Sequence, residues 1–133
     1  MRRLAMSVLA LLSACASNPA SLCTPGQQAA IQDTLYFGTG RVHGGAVTPQ
    51  EWEGFVRDEI APRFPQGFSI LEAQGQWRNA DGSIAHEQTH VLQLLHPVDD
   101  RSERAVGEIA DRYKTRFEQE AVLRVRAAAC MSL

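Results

Sequence analysis

The spacing of apolar residues changes period several times along this chain, and each change marks a boundary between elements. Thr34-Leu35-Tyr36-Phe37-Gly38 is a short aromatic and aliphatic run closed by glycines, which predicts a first strand and, in Gly38–Gly45, its exit loop. Thr48-Pro49-Gln50-Glu51 places a capping threonine before a proline at the first helical position, with a glutamate three residues after the cap. That is a capping box, so a helix starts here. Trp52, Phe55, Val56 and Ile60 share one helical face, and Pro62 ends the helix by pushing Ala61 out of the α region.

Phe68–Trp77 reads as a second strand with Gly75 as an expected bulge, and Asn79-Ala80-Asp81-Gly82 is a turn signature. Ile84–Pro97 follows directly as a long central strand, completing a hairpin. Asp99 or Asp100 caps a second helix in which Val106, Ile109, Tyr113 and Phe117 form one apolar stripe. Ala121–Arg126 closes the chain as a last alternating strand. The order β-α-β-β-α-β predicts an α+β, ferredoxin-like sandwich: an antiparallel four-stranded sheet with two helices on one face. Strand alternation then expects Leu123 and Val125 to face the helices. Arg124 and Arg126 are expected on the open face, together with Tyr36, Glu72, Gln74, Gln76, Glu87 and Thr89. Trp52, Trp77, Phe64 and Phe117 are expected in the core.

The third strand has a rival reading. On a helix, His86-Glu87-Gln88-Thr89-His90 is the H-E-x-x-H zinc site of metallopeptidases, and His96 stands where the longer metzincin form has its third histidine. This is the alternative function, a small zinc-dependent hydrolase. Three features oppose it. The position where that motif needs a glycine to turn is Gln93, which resists positive φ. His96 precedes Pro97, which favours an extended backbone. In a strand, His86 and His90 lie roughly 13 Å apart and cannot share one ion. The strand is therefore the reading adopted, with no metal or other cofactor.

Charge and cysteine usage add a location. Met1-Arg2-Arg3 before an apolar run to Leu12 is a secretory leader, too short to span a membrane, and Leu12-Ser13-Ala14-Cys15 resembles a lipoprotein processing site. Residues 1–14 are expected to be removed, Cys15 to be lipidated, residues 15–31 to form a flexible tether and residues 32–133 a single α+β domain. Loss of Arg2 and Arg3 leaves 11 basic against 15 acidic residues, a net charge of −4, which carries no electrostatic footprint for nucleic acid. Cys23 and Cys130 remain as a pair near the two ends of the domain, and export makes a disulfide between them the expected outcome. Ala16 and Ser17 after Cys15, rather than aspartate, resemble outer-membrane sorting in a Gram-negative cell, with the domain facing the periplasm.

Several ordered motifs carry a family resemblance. Leu35-Tyr36-Phe37-Gly38, Glu51-Trp52-x-x-Phe55, Pro62-Arg63-Phe64-Pro65-x-Gly67, Gly75-Gln76-Trp77, Glu87, and Tyr113-x-x-x-Phe117-x-Gln119-Glu120-x-Val122-Leu123-Arg124-Val125 resemble the bacterial domain-of-unknown-function family numbered 3574. The resemblance covers about residues 23–133. It implies a small exported or lipid-anchored protein without an established activity, and histidines matching His86 and His90 are not part of its pattern.

No reaction is legible, and a binding module is preferred to an enzyme. The expected ligand-binding residues are Tyr36, Arg63, Gln74, Glu87 and Arg124, with Gln74 and Glu87 paired across the hairpin. The expected partners are a membrane through the lipid anchor, an envelope protein or small ligand, and a possible second copy of the chain. A face this polar favours a ligand or wet contact over a dry dimer.

Overall fold

In the computed structural model, which describes residues 23–132, Leu35 of the first strand lies between Leu92 on one side and Arg124 on the other. That register fixes which face of the sheet every strand residue occupies. The elements are β1 (Gln28–Gly38), α1 (Pro49–Phe55, continued by a π-helical turn Val56–Ile60), β2 (Ser69–Arg78), β3 (Ile84–Pro97), α2 (Asp100–Phe117) and β4 (Leu123–Met131). The sheet order is β2-β3-β1-β4 with every neighbouring pair antiparallel, so the expected α+β architecture is the one found. The expected leader and lipidation site, residues 1–14 and Cys15, lie outside the described residues.

The helix starts follow from their caps. Glu51 N–H donates to Thr48 Oγ1 at 3.3 Å while Thr48 N–H donates back to Glu51 Oε2 at 2.9 Å, closing the capping box. Asp99, rather than Asp100, caps α2: its Oδ1 accepts from the Ser102 N–H at 2.7 Å. The π turn in α1 is closed by Ala61 N–H donating to Val56 O at 2.9 Å. The extra residue in that turn carries Ile60 round to the buried face already occupied by Phe55.

The core lies between the helices and one sheet face. Leu35, Phe37, Leu92 and Leu94 from β1 and β3 meet Phe55 and Ile60 of the α1 segment and the Val106, Ile109, Tyr113, Phe117 stripe of α2, and all are buried. Phe37 sits at its centre, with the Tyr113 ring centroid at 4.7 Å and the Trp52 centroid at 5.4 Å. Burial of side chains this large contributes about 1.5–3 kcal/mol each, so this cluster dominates the fold energy.

Several expectations are corrected. β1 begins at Gln28, so residues 28–31 are strand and not tether; small side chains there are held from both sides, by β3 from residue 30 onward and by the alanine-rich end of β4. β4 itself runs on to Met131, well past Arg126. Gly75 is no bulge, because pairing runs unbroken through Gly75 and Glu87; a Cβ there would lie 2.4 Å from Thr89 Oγ1, which is why glycine is needed. Gln74 consequently pairs with Gln88 and not with Glu87.

A further correction reverses β4. Because Arg124 is level with Leu35 and Arg126 with Asp33, both arginines point to the helix side, and Leu123 and Val125 are turned outward and half exposed. The cause is Asp33, fully buried within the run Ile31, Asp33, Leu35, Phe37 on the helix side. A carboxylate in that position requires a cation, and β4 supplies it. By the same register Glu72, Gln74 and Gln76 belong to the helix side, while Tyr36, Glu87 and Thr89 occupy the open face as expected. Cys23 and Cys130 form the expected disulfide, with Cα atoms 5.5 Å apart.

Candidate functional site

The open face of the sheet carries a groove of about 740 Å³ where the ends of β1 and β2 meet the starts of β3 and β4. Its floor is made by Gly38, Gly75, Thr89 and Glu87, and its sides by Tyr36, Trp77 and Leu123, with Arg41 and Gln119 at the rim. The floor is low because two glycines lie in it. A Cβ on Gly38 would come within 2.5 Å of Glu87 Oε1, so the missing side chain of β1 is the space that the β3 carboxylate fills.

Glu87 is tied down at one oxygen. Its Oε2 accepts the Gly40 backbone N–H at 2.7 Å. Among the strand positions of the open face, Glu87 is the one charged residue. Beneath it, Tyr113 donates its hydroxyl to Gly38 O at 2.9 Å, and burial, assisted by the Glu87 charge, pushes the Tyr113 phenol well above its ordinary value. Tyr113 therefore remains a neutral donor that fixes the backbone on which the carboxylate rests. Gln119 holds the loop from the other side, its Nε2 donating to Gly40 O at 2.7 Å. At the rim, Arg41 donates to Glu51 Oε1 at 2.7 Å and lies over the Phe117 ring, so this cation is directed into the helix layer.

Trp77 was expected in the core and is instead half exposed in the groove wall. Tyr36, at 37% exposure, lines the other end of the groove on β1, level with Val91 where Trp77 is level with Ala85. The arrangement combines flat apolar walls with one fixed acceptor, which suits a small molecule offering a donor or cationic group on a planar body.

The other expected site residues are placed elsewhere. Arg63 is bound into the helix layer, donating through Nη1 to Glu59 O and Oε2, each at 2.8 Å, and through Nε to Glu108 Oε2 at 3.1 Å. Gln74 meets the groove only along the β2 edge. Arg124 is on the opposite side of the sheet: Nε and Nη2 donate to Asp33 Oδ1 and Oδ2, both at 2.7 Å, and Nη1 to Glu103 Oε1 at 2.8 Å. His96 extends that network through Nε2 to Asp33 Oδ2 at 2.9 Å. Burial pushes the Asp33 carboxyl up, but the hydrogen bonds and charges of Arg124 and His96 outweigh it and hold Asp33 below the ordinary carboxylate range.

The residues of the H-E-x-x-H match lie on a strand. His90 stacks on Trp52 at 4.2 Å between ring centroids and hydrogen-bonds Glu72, His96 is engaged by Asp33, and His86 is exposed. Among the described residues no three His, Cys, Asp or Glu side chains are placed to share a metal ion.

Fold and groove together define a ferredoxin-like α+β domain with a trough on the uncovered sheet face. The chain belongs to the family described as "Protein of unknown function (DUF3574)", whose model matches residues 32–133. No curated protein matches it significantly. Among solved structures it is similar to a phage SAM lyase in complex with S-methyl-5'-thioadenosine, at 15% identity and a TM-score of 0.59 over 81% of this chain and 91% of that one. It is also similar to CutA from Synechococcus elongatus PCC7942 complexed with a Bis-Tris molecule, at 13% identity and a TM-score of 0.52 over 80% and 88% of the two chains. These likenesses show the fold.

Proposed function

We propose that this chain is a cell-envelope lipoprotein, anchored through Cys15 at the periplasmic side of the outer membrane, whose domain binds a small ligand in the groove of the open sheet face. The observation that carries the binding reading is Glu87, the one charged side chain among the strand positions of this face, seated over Gly38 and hydrogen-bonded by Gly40, with Asp81, Glu118 and Glu120 in the surrounding loops. A charged group without a structural counter-ion on such a face has a natural role as a ligand anchor. The ligand class is a flat ring system bearing an amine or another strong donor, its donor group at Glu87 and its ring resting on Trp77, two positions from the Gly75 that pairs with Glu87. The phage SAM lyase of similar fold holds S-methyl-5'-thioadenosine, a purine nucleoside, which makes nucleosides sensible first probes.

The test uses the full chain and its own fluorescence, since Trp77 lines the groove and Trp52 is buried. S-methyl-5'-thioadenosine, adenosine and tryptamine are titrated in turn. At least one should give a saturable change that is lost in Trp77→Phe and weakened at least tenfold in Glu87→Gln, with melting temperatures kept within a few degrees. No saturable response to any of the three would reject this ligand class.

A further inference from the structure

We propose that the open sheet face packs against the same face of a second copy of this chain. The argument rests on composition and area, and it stands whether or not the groove binds a ligand. Among the described residues nine large apolar side chains are exposed, and six of them, Tyr36, Leu71, Trp77, Leu95, Leu123 and Val125, lie on this one face. A two-layer domain ordinarily turns its charges to the uncovered side of the sheet. Here the distribution is inverted: Asp33, Arg124, Arg126 and Glu72 are on the helix side, and the outer side keeps Glu87 alone. Gln32, Ser69 and Gln93 stand among them, so the face is a mixed surface of six exposed large apolar side chains and neutral polar ones, the composition of an interaction surface.

The identity of the occupant follows from charge and size. Over the strands two such faces meet without like-charge repulsion, because Glu87 is recessed in the groove and already hydrogen-bonded, and the loop carboxylates Asp81, Glu118 and Glu120 are confined to the groove end. A membrane surface is a poor match, since the face has no lysine or arginine to meet lipid headgroups. Four strands about 4.8 Å apart and roughly 30 Å long give a flat footprint of about 600 Å². Side-chain relief raises the accessible area toward the ~800 Å² per partner typical of stable complexes. Two-fold pairing of one face on itself is the commonest closed arrangement. It would also place the second copy over the groove, turning an open trough into an enclosed one.

The experiment keeps the full chain in its own envelope. Two differently tagged copies are co-expressed with p-benzoylphenylalanine in place of Val125, and in a second strain in place of Leu95, so that misfolding at one site does not decide the result. The same photo-probe in place of His43, in the exposed loop after β1, is the control. Irradiation should give an adduct of twice the chain mass carrying both tags from positions 125 and 95, and none from position 43. An adduct from 125 and 95 that contains lipid or a different protein, no adduct at all, or equal yield from position 43 would overturn the proposal.

Discussion

Asp33 and Arg124 meet through two parallel hydrogen bonds of 2.7 Å across the helix-side face of the sheet, and Arg124 is there although alternation with Leu123 and Val125 inward predicts it on the open face. Asp33 is fully buried, and breaking a buried ion pair by removing one partner typically costs about 3–5 kcal/mol. Asp33→Asn should therefore destabilise the domain by about that amount, read from urea unfolding midpoints at neutral pH. A loss under about 1 kcal/mol would show that the pair adds nothing to the fold.

The same pair sets an acid limit. Asp33 titrates below its ordinary value of 3.8 in the folded state, and Glu103 below its ordinary 4.5 through its hydrogen bonds with Arg124. A depressed folded value means that the ionised form stabilises the protein at all pH above the unfolded value, and that this contribution disappears as pH falls through the folded one. The melting temperature should be nearly level from pH 7 to 5 and fall steeply below about 4. In Asp33→Asn the fall should be shallower.

Much of the fold could be read from local chemistry. The capping box at Thr48, the stripe Val106, Ile109, Tyr113, Phe117 and the turn at Asn79–Gly82 each depend on neighbours in sequence, and each is found where expected. The facing of β4 depends instead on β1, about ninety residues away, whereas hydrophobicity alone turns the apolar Leu123 and Val125 inward. The signal that could have reversed them is Asp33 in phase with Ile31, Leu35 and Phe37, a buried acid awaiting a base. The groove was half legible. Glu87 and Tyr36 lie on the face that alternation predicts, while Trp77 departs from the rule that large aromatics are usually buried. Gly38 as the seat for Glu87 is a contact between strands, and no single stretch of sequence contains it.

The seat of Glu87 gives a direct test at one atom. With Glu87→Ala the Gly40 N–H loses its acceptor, so its hydrogen exchange measured by NMR should quicken at least tenfold while amides in the middle of β3 keep their protection. Gly38→Ala should do the same by displacing the carboxylate, since its Cβ would otherwise overlap Glu87. Unchanged exchange at Gly40 in both variants would dismiss the contact.

Removal of the disulfide should weaken the fold without redesigning it. Cys23 and Cys130 are separated by 107 positions, so the bridge restrains nearly the whole domain. On the chain-entropy account its loss costs roughly 3–5 kcal/mol. The double variant Cys23→Ser, Cys130→Ser should unfold at lower urea, and reductant should shift the wild type, but not the variant, by a matching amount.

Processing at Cys15 is checked by fractionation. Cys15→Ser should leave the chain unprocessed or release it from the membrane fraction, whereas wild type should sediment with the outer membrane and carry acyl groups by mass spectrometry. A processed Cys15→Ser chain that still sediments like wild type would remove the lipid-anchor reading.

The clasp between Cys23 and Cys130 also has a mechanical meaning. Ala29 pairs with Cys130 and Gln28 with Met131, so the bridge fastens the stem preceding β1 to the far end of the neighbouring edge strand. Tension applied at Cys23 is divided at once between two backbones. An interior strand pulled alone from its end would give way by sequential rupture of its ladder; fastened to β4, it drags the outer strand with it and the force enters the sheet along a seam that is already covalently closed. A domain held at its N-terminal end can then be tugged from that end without unravelling from it.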